Sequence, residues 1–295
     1  EIGVRLVGSE MCIRDRILRA LLGQNDIALV DPYIHTSAMA GLKGTNVKRI
    51  GHNDLEYLEK TLKETKDQYQ TRLVIIDGVY SQDGDLSLLP EIISLCKTHE
   101  AMLMLDDAHG IGVMGANGRG TAEHFNCLGQ VDIITGTFSK SFGCVGGFAA
   151  ASKKIIQYLK FYADSNVFSA APTPQVTASI LKALEIIKKE PAIRARLWEN
   201  TDYLRSRLTT EGFDIGKSVS PIFPIMIRDN KKVYEIAKML QEKGIFTIGI
   251  VYPAVRTKEA RLRVSVLATH EHEQLDALIN ALNDINKDIK IKKEQ

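Results

Sequence analysis

Three apolar runs in this chain end in groups able to do proton or amine chemistry. LVIID ends in Asp77, with Gly78 and then Ser81 following; MLMLDDAHG ends in Asp106, Asp107 and His109; VDIITGTFSKSFG carries Thr137, Ser139 and Lys140. In an open parallel sheet, ligands bind outside the carboxyl ends of the strands, so these strand ends are where reactive groups converge. An acid pair with a histidine on one strand and a lysine on another can serve a single cofactor. Each has a bland alternative as well: a strand-end Asp caps the next turn, a lone His is a core or surface residue, and most Lys are solvated. Lys140 carries the most information, because hydroxyl residues (Thr137, Ser139, Ser141) flank it and GCVGGF follows. Glycines admit close approach of the backbone to a ligand, and hydroxyls with exposed N–H groups suit a phosphate. A Schiff-base amine, an anion cradle and a carboxylate that keeps a pyridine nitrogen protonated are the parts pyridoxal 5'-phosphate (PLP) requires. A dinucleotide-binding reading is weaker, since GANGRG (residues 115–120) has the wrong glycine order and does not open a helix directly after a strand.

Short apolar runs alternate with longer amphipathic ones from Ile17 onward, the pattern of βα units on a mostly parallel sheet. Strands are expected at residues 27–31, 47–50, 73–77, 102–106, 131–137 and 146–151. A helix capped by Asn53 or Asp54 carries Leu55, Leu58 and Leu62 on one face, Pro90 opens another that runs to about His99, and two more span residues 152–163 and 174–189. After Pro191 the order changes: a helix over residues 192–211, then strand IFPIMI, helix KKVYEIAKMLQEKG, strand IFTIGI, strand RLRVSV and helix HEHEQLDALINALNDI. The fold class is therefore α/β, with residues 17–190 forming a large cofactor-binding domain and residues 191–295 a small α+β domain. Residues 1–16, EIGVRLVGSEMCIRDR, lack periodicity and resemble the translation of a sequencing adapter; they are set outside the fold.

The bulk numbers exclude several classes of function. The chain has 295 residues, 44% apolar and 25% charged, with a net charge of +2, so nothing marks it for nucleic acid or an anionic membrane surface. Four cysteines (Cys12, Cys96, Cys127, Cys144) lie far apart without a CxxC pair, which points away from a metal site or a disulfide framework and towards a cytoplasmic setting. No apolar run reaches the roughly 18 residues a membrane helix needs.

Several ordered motifs carry a resemblance. IHTSAMAG, HNDLE, DGVYSQDGDLSLLP, DDAHGIGVMGANGRG, GTFSKSFGCVGGF, FSAAPTP and ARLRVSVLATH together resemble the α-oxoamine synthases, PLP-dependent enzymes of fold type I, from about Ile17 to Ile285. The resemblance implies a homodimer that condenses a small amino acid (serine, alanine or glycine) with an acyl-CoA or acyl carrier protein thioester, losing CO2. It implies that Lys140 forms the Schiff base with PLP and later moves the α-proton. Asp106 would pair with the pyridine nitrogen, His109 and Ser81 would lie beside the phenolic oxygen, and His35 would stack on the face of the cofactor. Thr137, and Ser169 reaching from the partner subunit, would contact the phosphate. Within the family, TFSKSFG and the carboxy-terminal half are most similar to the bacterial serine palmitoyltransferases, which open sphingoid-base synthesis. The alternatives are 8-amino-7-oxononanoate synthase, which serves biotin synthesis, and 2-amino-3-ketobutyrate CoA ligase. From other classes, a fold-type-I aminotransferase and an inactive remnant stand beside these.

On RLRVSV, Leu262, Val264 and Val266 share one face and Arg261, Arg263 and Ser265 the other. The family's carboxylate-binding arginine aligns with Arg263, whose fork matches a carboxylate bidentately; Arg261 is expected to be a solvated charge. Relatives carry roughly a hundred further residues before the point matching Ile17, including a Ser/Thr-Gly-aromatic loop on the cofactor phosphate and an asparagine near the substrate carboxylate. The chain is thus expected to be an amino-terminally truncated reading frame that binds PLP weakly.

Overall fold

The computed structural model describes residues 2–4, 10–163 and 171–291, and the chain divides into two units. The first comprises Glu1–Tyr80 and Leu86–Glu190. Its sheet contains β1 (Ile2–Val4), β2 (Ile27–Val30), β3 (Asn46–Arg49), β4 (Arg72–Asp77), β5 (Met102–Asp106), β6 (Ile133–Thr137) and β7 (Gly147–Ser152), in the spatial order β1-β7-β6-β5-β4-β2-β3. Strands β2 to β6 pair in parallel, while β7 runs antiparallel to both β6 and β1.

The near-continuous apolar runs make sense because both faces of the sheet are covered. Ala28, Val30, Leu73, Ile75 and Met104 pack in one core with Ile13, Ile17 and Leu18 of α1 (Glu10–Leu21), Ala38 of α2 (Thr36–Gly41), and Ile156 and Leu159 of α6 (Lys153–Tyr162). Their strand neighbours Ile27, Leu29, Val74, Ile76, Leu103 and Leu105 pack in the other, against Leu58 and Leu62 of α3 (Leu55–Glu64) and Ile92 and Ile93 of α4 (Leu89–Thr98). Alternate residues of each strand thus enter opposite cores, as the two-residue period of a strand requires. A short helix α5 (Thr121–His124) and a long one, α7 (Pro174–Lys189), also belong to the unit. Of the two expected caps, Asp54 is the one that holds α3, accepting from the Tyr57 amide at 2.9 Å. Asn53 instead has a positive φ of 51° and bridges to Leu86 and Leu88.

Among the described residues ahead of Ile17, residues 2–4 and 10–16 lie in this unit. Strand β1 extends the sheet, and α1 starts at Glu10 because Ile13 stands one helical turn before Ile17 and enters the same apolar layer.

The second unit comprises Ser81–Asp85 and Pro191–Gln295. It contains α8 (Pro191–Thr210), β8 (Ile222–Met226), α9 (Asn230–Glu242), β9 (Ile248–Ile250), β10 (Arg261–Ser265) and α10 (His272–Asp288). The strands form an antiparallel sheet in the order β8-β10-β9. Phe223, Ile225, Leu262 and Val264 face Leu204, Val233, Ile236, Leu240, Ile279 and Leu282 of the helices in one core. Ser81–Asp85 joins this unit through local bonds: Arg263 donates to the Ser81 carbonyl, Arg261 pairs with Asp83, and the Val219 amide donates to Gly84. The sequence reading had placed that stretch in the first domain.

Candidate active site

In the strand order, β2 sits between β3 and β4, so the chain leaves β2 in one direction and later returns to add β4 on its other side. The carboxyl ends of β2, β4 and β5 therefore flank a topological switch point, where a crevice is available. Three buried carboxylates stand there: Asp31, Asp77 and Asp106. Asp77 and Asp106 are register partners on neighbouring strands. Two like charges side by side in a buried place disfavour double ionisation. Asp77 responds accordingly: burial first, then repulsion from Asp106, pushes its carboxyl well above the ordinary range, against the pull of Arg14 and Lys140. Its Oδ1 is buried without a hydrogen-bond partner.

Asp106 keeps a cation. The Arg14 guanidinium forms an ion pair with Oδ2 and donates to Oδ1 at 3.2 Å, and the Ala108 amide donates to Oδ1 at 3.1 Å. The same guanidinium donates to Ser37 Oγ at 3.2 Å and lies 3.5 Å from Nδ1 of His35. His35 caps α2, with Nδ1 accepting from the Ser37 amide at 3.2 Å, which leaves the ring proton on Nε2. His109 is half-buried on the turn that follows Asp106.

Lys140 lies three residues past the end of β6, exposed on a turn closed by the Gly143 amide donating to its carbonyl at 3.0 Å. Its ammonium acts electrostatically on Asp77, so the lysine and the carboxylate pair share one region. Thr137, the last residue of β6, is buried. The Ser139 amide donates to the Thr137 hydroxyl at 3.0 Å, and the Ser139 hydroxyl stands 2.8 Å from it.

Asp107 plays a different part from its neighbour. It accepts from the amide and the hydroxyl of Thr121, at 2.7 and 2.5 Å, tying the DDAHG turn to α5. A Cβ on Gly110 or Gly120 would lie 1.9 Å from a carboxylate oxygen of Asp107, which explains the glycines in this motif. Burial raises the Asp107 carboxyl to about 6, with the Thr121 hydrogen bonds opposing. The folded state therefore holds this proton more tightly than the unfolded chain, and stability present below pH ~4 is lost as pH rises through ~6. Relative to Asp107→Asn, the parent chain is expected to lose up to about 3 kcal/mol between pH 4 and 7 in denaturant titrations. Parallel pH profiles would refute this assignment.

Several functional candidates had no role in the sequence reading. In the sequence Asp77 is a strand end without an assigned role, and Arg14 falls within residues 1–16. Asp31 ends the apolar run of β2; it accepts from the Tyr80 hydroxyl at 2.9 Å and the Tyr33 amide at 2.8 Å, with His52 Nδ1 at 3.0 Å. The His52 ring lies 4.6 and 4.5 Å from the Tyr33 and Tyr80 rings. A strand-end Asp with the HND motif was the available signal.

The second unit holds Ser81 and Arg263 together. Arg263 donates from Nε to the Ser81 carbonyl and from Nη1 to Ser265 Oγ at 3.0 Å, and burial lowers its pKa. Arg261 corrects an expectation: it is not a solvated charge but 3% exposed, paired with Asp83 and bonded to the Glu259 carbonyl at 2.7 Å. Ser169 lies outside the described residues. Among the described residues, no helix is long and apolar enough to cross a membrane.

A family model described as aminotransferase class I and II matches residues 12–282. Serine palmitoyltransferase of Sphingobacterium spiritivorum is 42% identical over 276 residues, which cover 93% of this chain and 69% of that protein. The 8-amino-7-oxononanoate synthase of Thermoanaerobacter pseudethanolicus is 39% identical over 277 residues, 93% of this chain and 70% of that one. Among solved structures, the Sphingomonas wittichii serine palmitoyltransferase is 27% identical with a TM-score of 0.93, covering 99% of this chain and 74% of its own. A serine palmitoyltransferase solved as its PLP internal aldimine is 28% identical, also with a TM-score of 0.93, covering 98% and 73%. Sequence, sheet order and relatives agree: this chain belongs to the class I and II aminotransferase family, in its α-oxoamine synthase branch.

Proposed function

We propose that the chain is a PLP-dependent acyltransferase that joins a small amino acid to an acyl thioester with loss of CO2, in the manner of serine palmitoyltransferase. The observation that carries this reading is the Asp77–Asp106 pair, buried at the carboxyl ends of adjacent strands, with a cationic donor held on Asp106 and the Lys140 ammonium acting on Asp77. Such a donor set suits PLP. A buried carboxylate that already engages a cationic N–H group favours a protonated ring nitrogen over a neutral one.

When bound, PLP supplies an electron sink for the negative charge left on the amino acid's α-carbon. In the proposed division of labour, Asp106 carries the negative charge that holds the ring nitrogen protonated, while Asp77, whose carboxyl burial and Asp106 push well above the ordinary range, keeps its proton beside it. Lys140 Nζ would hold the cofactor and, once released by the substrate amine, would take the α-proton. The α-carbon then bonds to the acyl carbonyl as the C–S bond breaks and the thiol leaves, and Lys140 would return a proton to that carbon after CO2 has left. His35 covers the ring face, its orientation fixed by the Ser37 amide. Thr137, and Ser169 of a partner subunit, are assigned the phosphate, which makes the working form a homodimer. His109 and Ser81 are assigned the phenolic oxygen. Arg263 is assigned the substrate carboxylate, because Arg261 is already committed to Asp83. The amino acid is serine and the acyl donor a long-chain CoA thioester, with reaction in the cytosol. The 8-amino-7-oxononanoate synthase relatives keep a second reading, alanine with a pimeloyl thioester on CoA or acyl carrier protein.

Incubation with PLP and each substrate pair, measuring free CoA and CO2, tests the proposal. Serine with palmitoyl-CoA should release both without forming a keto acid from serine; keto-acid formation without thiol release would make the chain an aminotransferase. Arg263→Ala should weaken serine binding by about 1.5–3 kcal/mol, roughly 10- to 150-fold, while leaving PLP attached to Lys140. Arg261→Ala should instead cost about 1–3 kcal/mol of stability, by stranding Asp83, with serine affinity unchanged. A reversed pattern in a serine titration would move the carboxylate site by one strand pleat.

A further inference from the structure

We propose that Asp31 is a positioning residue, whose buried carboxylate holds in shape the turn that carries His35. The inference rests on the PLP-dependent reading above, in which His35 covers the ring face and Asp31 has no part. β2 ends at Val30, and His35 caps α2 only five residues later. Asp31, Pro32, Tyr33 and Ile34 make that connection as a turn, closed by the Ile34 amide donating to the Asp31 carbonyl at 3.3 Å. Proline at the second position of a turn presets its φ, and an aspartate at the first can bond the backbone two residues on. Asp31 does so: its Oδ1 accepts from the Tyr33 amide at 2.8 Å. Ile34 on one side of His35 and Ala38 on the other are buried in the same core, so the shape of this turn sets where the histidine stands.

The carboxylate is itself braced from both neighbouring strands. β3 and β4 flank β2. Past the end of β3, His52 places Nδ1 3.0 Å from Asp31 Oδ2, and past the end of β4 the Tyr80 hydroxyl donates to the same oxygen at 2.9 Å. The His52 and Tyr80 rings meet edge to face, with centroids 4.5 Å apart. Asp31 is 2% exposed and Tyr80 1%, so solvent does not compete for their contact. Three strand exits thus converge on one side chain, and that side chain shapes the turn before His35. Misplacing a group at a reacting centre by about 1 Å can cost on the order of 10²-fold in rate, which gives this carboxylate its leverage.

The test compares the parent chain, Asp31→Ala, His35→Ala and the double variant, each saturated with PLP. Two quantities are read per bound PLP: the visible circular dichroism, which an achiral ring acquires only from the groups that hold it, and the rate of deuterium loss from α-deuterated serine. Asp31→Ala should shift the dichroism towards that of His35→Ala and slow exchange by about 10- to 100-fold. In the His35→Ala background it should add little to either, because a residue that acts through another loses its effect once that one is gone. Asp31→Asn should lie closer to the parent than to Asp31→Ala, since its amide oxygen still accepts from the Tyr33 amide. The dichroism needs no turnover, so it decides even where exchange is slow. A parent-like dichroism in Asp31→Ala, an effect as large without His35 as with it, or an Asp31→Asn chain as impaired as Asp31→Ala overturns the proposal. If Asp31→Ala does not fold, Tyr80→Phe, which removes only the bracing hydroxyl, takes its place in the cycle, and a parent-like dichroism there overturns it. Borohydride fixation with mass mapping in the parent checks the underlying reading: label on a lysine other than Lys140, or none, overturns that reading and this inference with it.

Discussion

Replacing Lys140 with alanine is expected to slow exchange of the serine α-proton by about 10²- to 10⁴-fold, the range lost when a positioned acid–base group is removed. The variant should also take up no borohydride-fixed PLP. Lys140→Arg sharpens the test. It keeps a cation near Asp77, so the electrostatics of the carboxylate pair survive, but a guanidinium neither attaches PLP nor exchanges a proton near neutral pH. Both variants should therefore be equally slow when deuterium loss from α-deuterated serine is followed by NMR. Exchange at the parent rate in either would remove Lys140 from the reaction.

Asp106→Ala is expected to destabilise the fold by about 3 kcal/mol, because it leaves the buried Arg14 guanidinium without its main partner. The effect should fall at the low end of the 3–5 kcal/mol found for broken buried pairs, since Asp77 still offers a carboxylate to the same cation. Removing both charges tells more. Arg14→Met combined with Asp106→Leu replaces the pair by apolar groups on the edge of an existing core, and should recover most of the loss. Urea titrations of the two single variants and the double variant close the cycle. A double variant no more stable than Asp106→Ala would mean that the pair is not the source of the cost.

Much of this could be read without coordinates. LVIID and MLMLD are apolar at every position before their aspartates, which only a sheet covered on both faces accommodates, and both form buried parallel strands. Pro90 and Pro174 open helices because proline lacks only an N–H that the first turn does not use. The strand ends were legible for the same local reason, and with them Asp106, His109, Thr137 and Lys140. What the motifs left open were contacts made between distant parts of the chain. Arg261 and Arg263 occupy equivalent pleats, and periodicity treats them alike; Asp83, 178 residues away, buries one of them in an ion pair.

Sequence by itself determined the family, the strand-end positions of the reactive groups and the alternation that divides each strand between two cores. Tertiary structure alone decided that β4 lies beside β5, setting Asp77 against Asp106, and that Arg14 fills the space before that pair. The reason is physical: hydrophobic period fixes which way a side chain points, a property of neighbouring residues. Strand order and the partner of a buried charge depend on which segments, far apart in the chain, exclude water together.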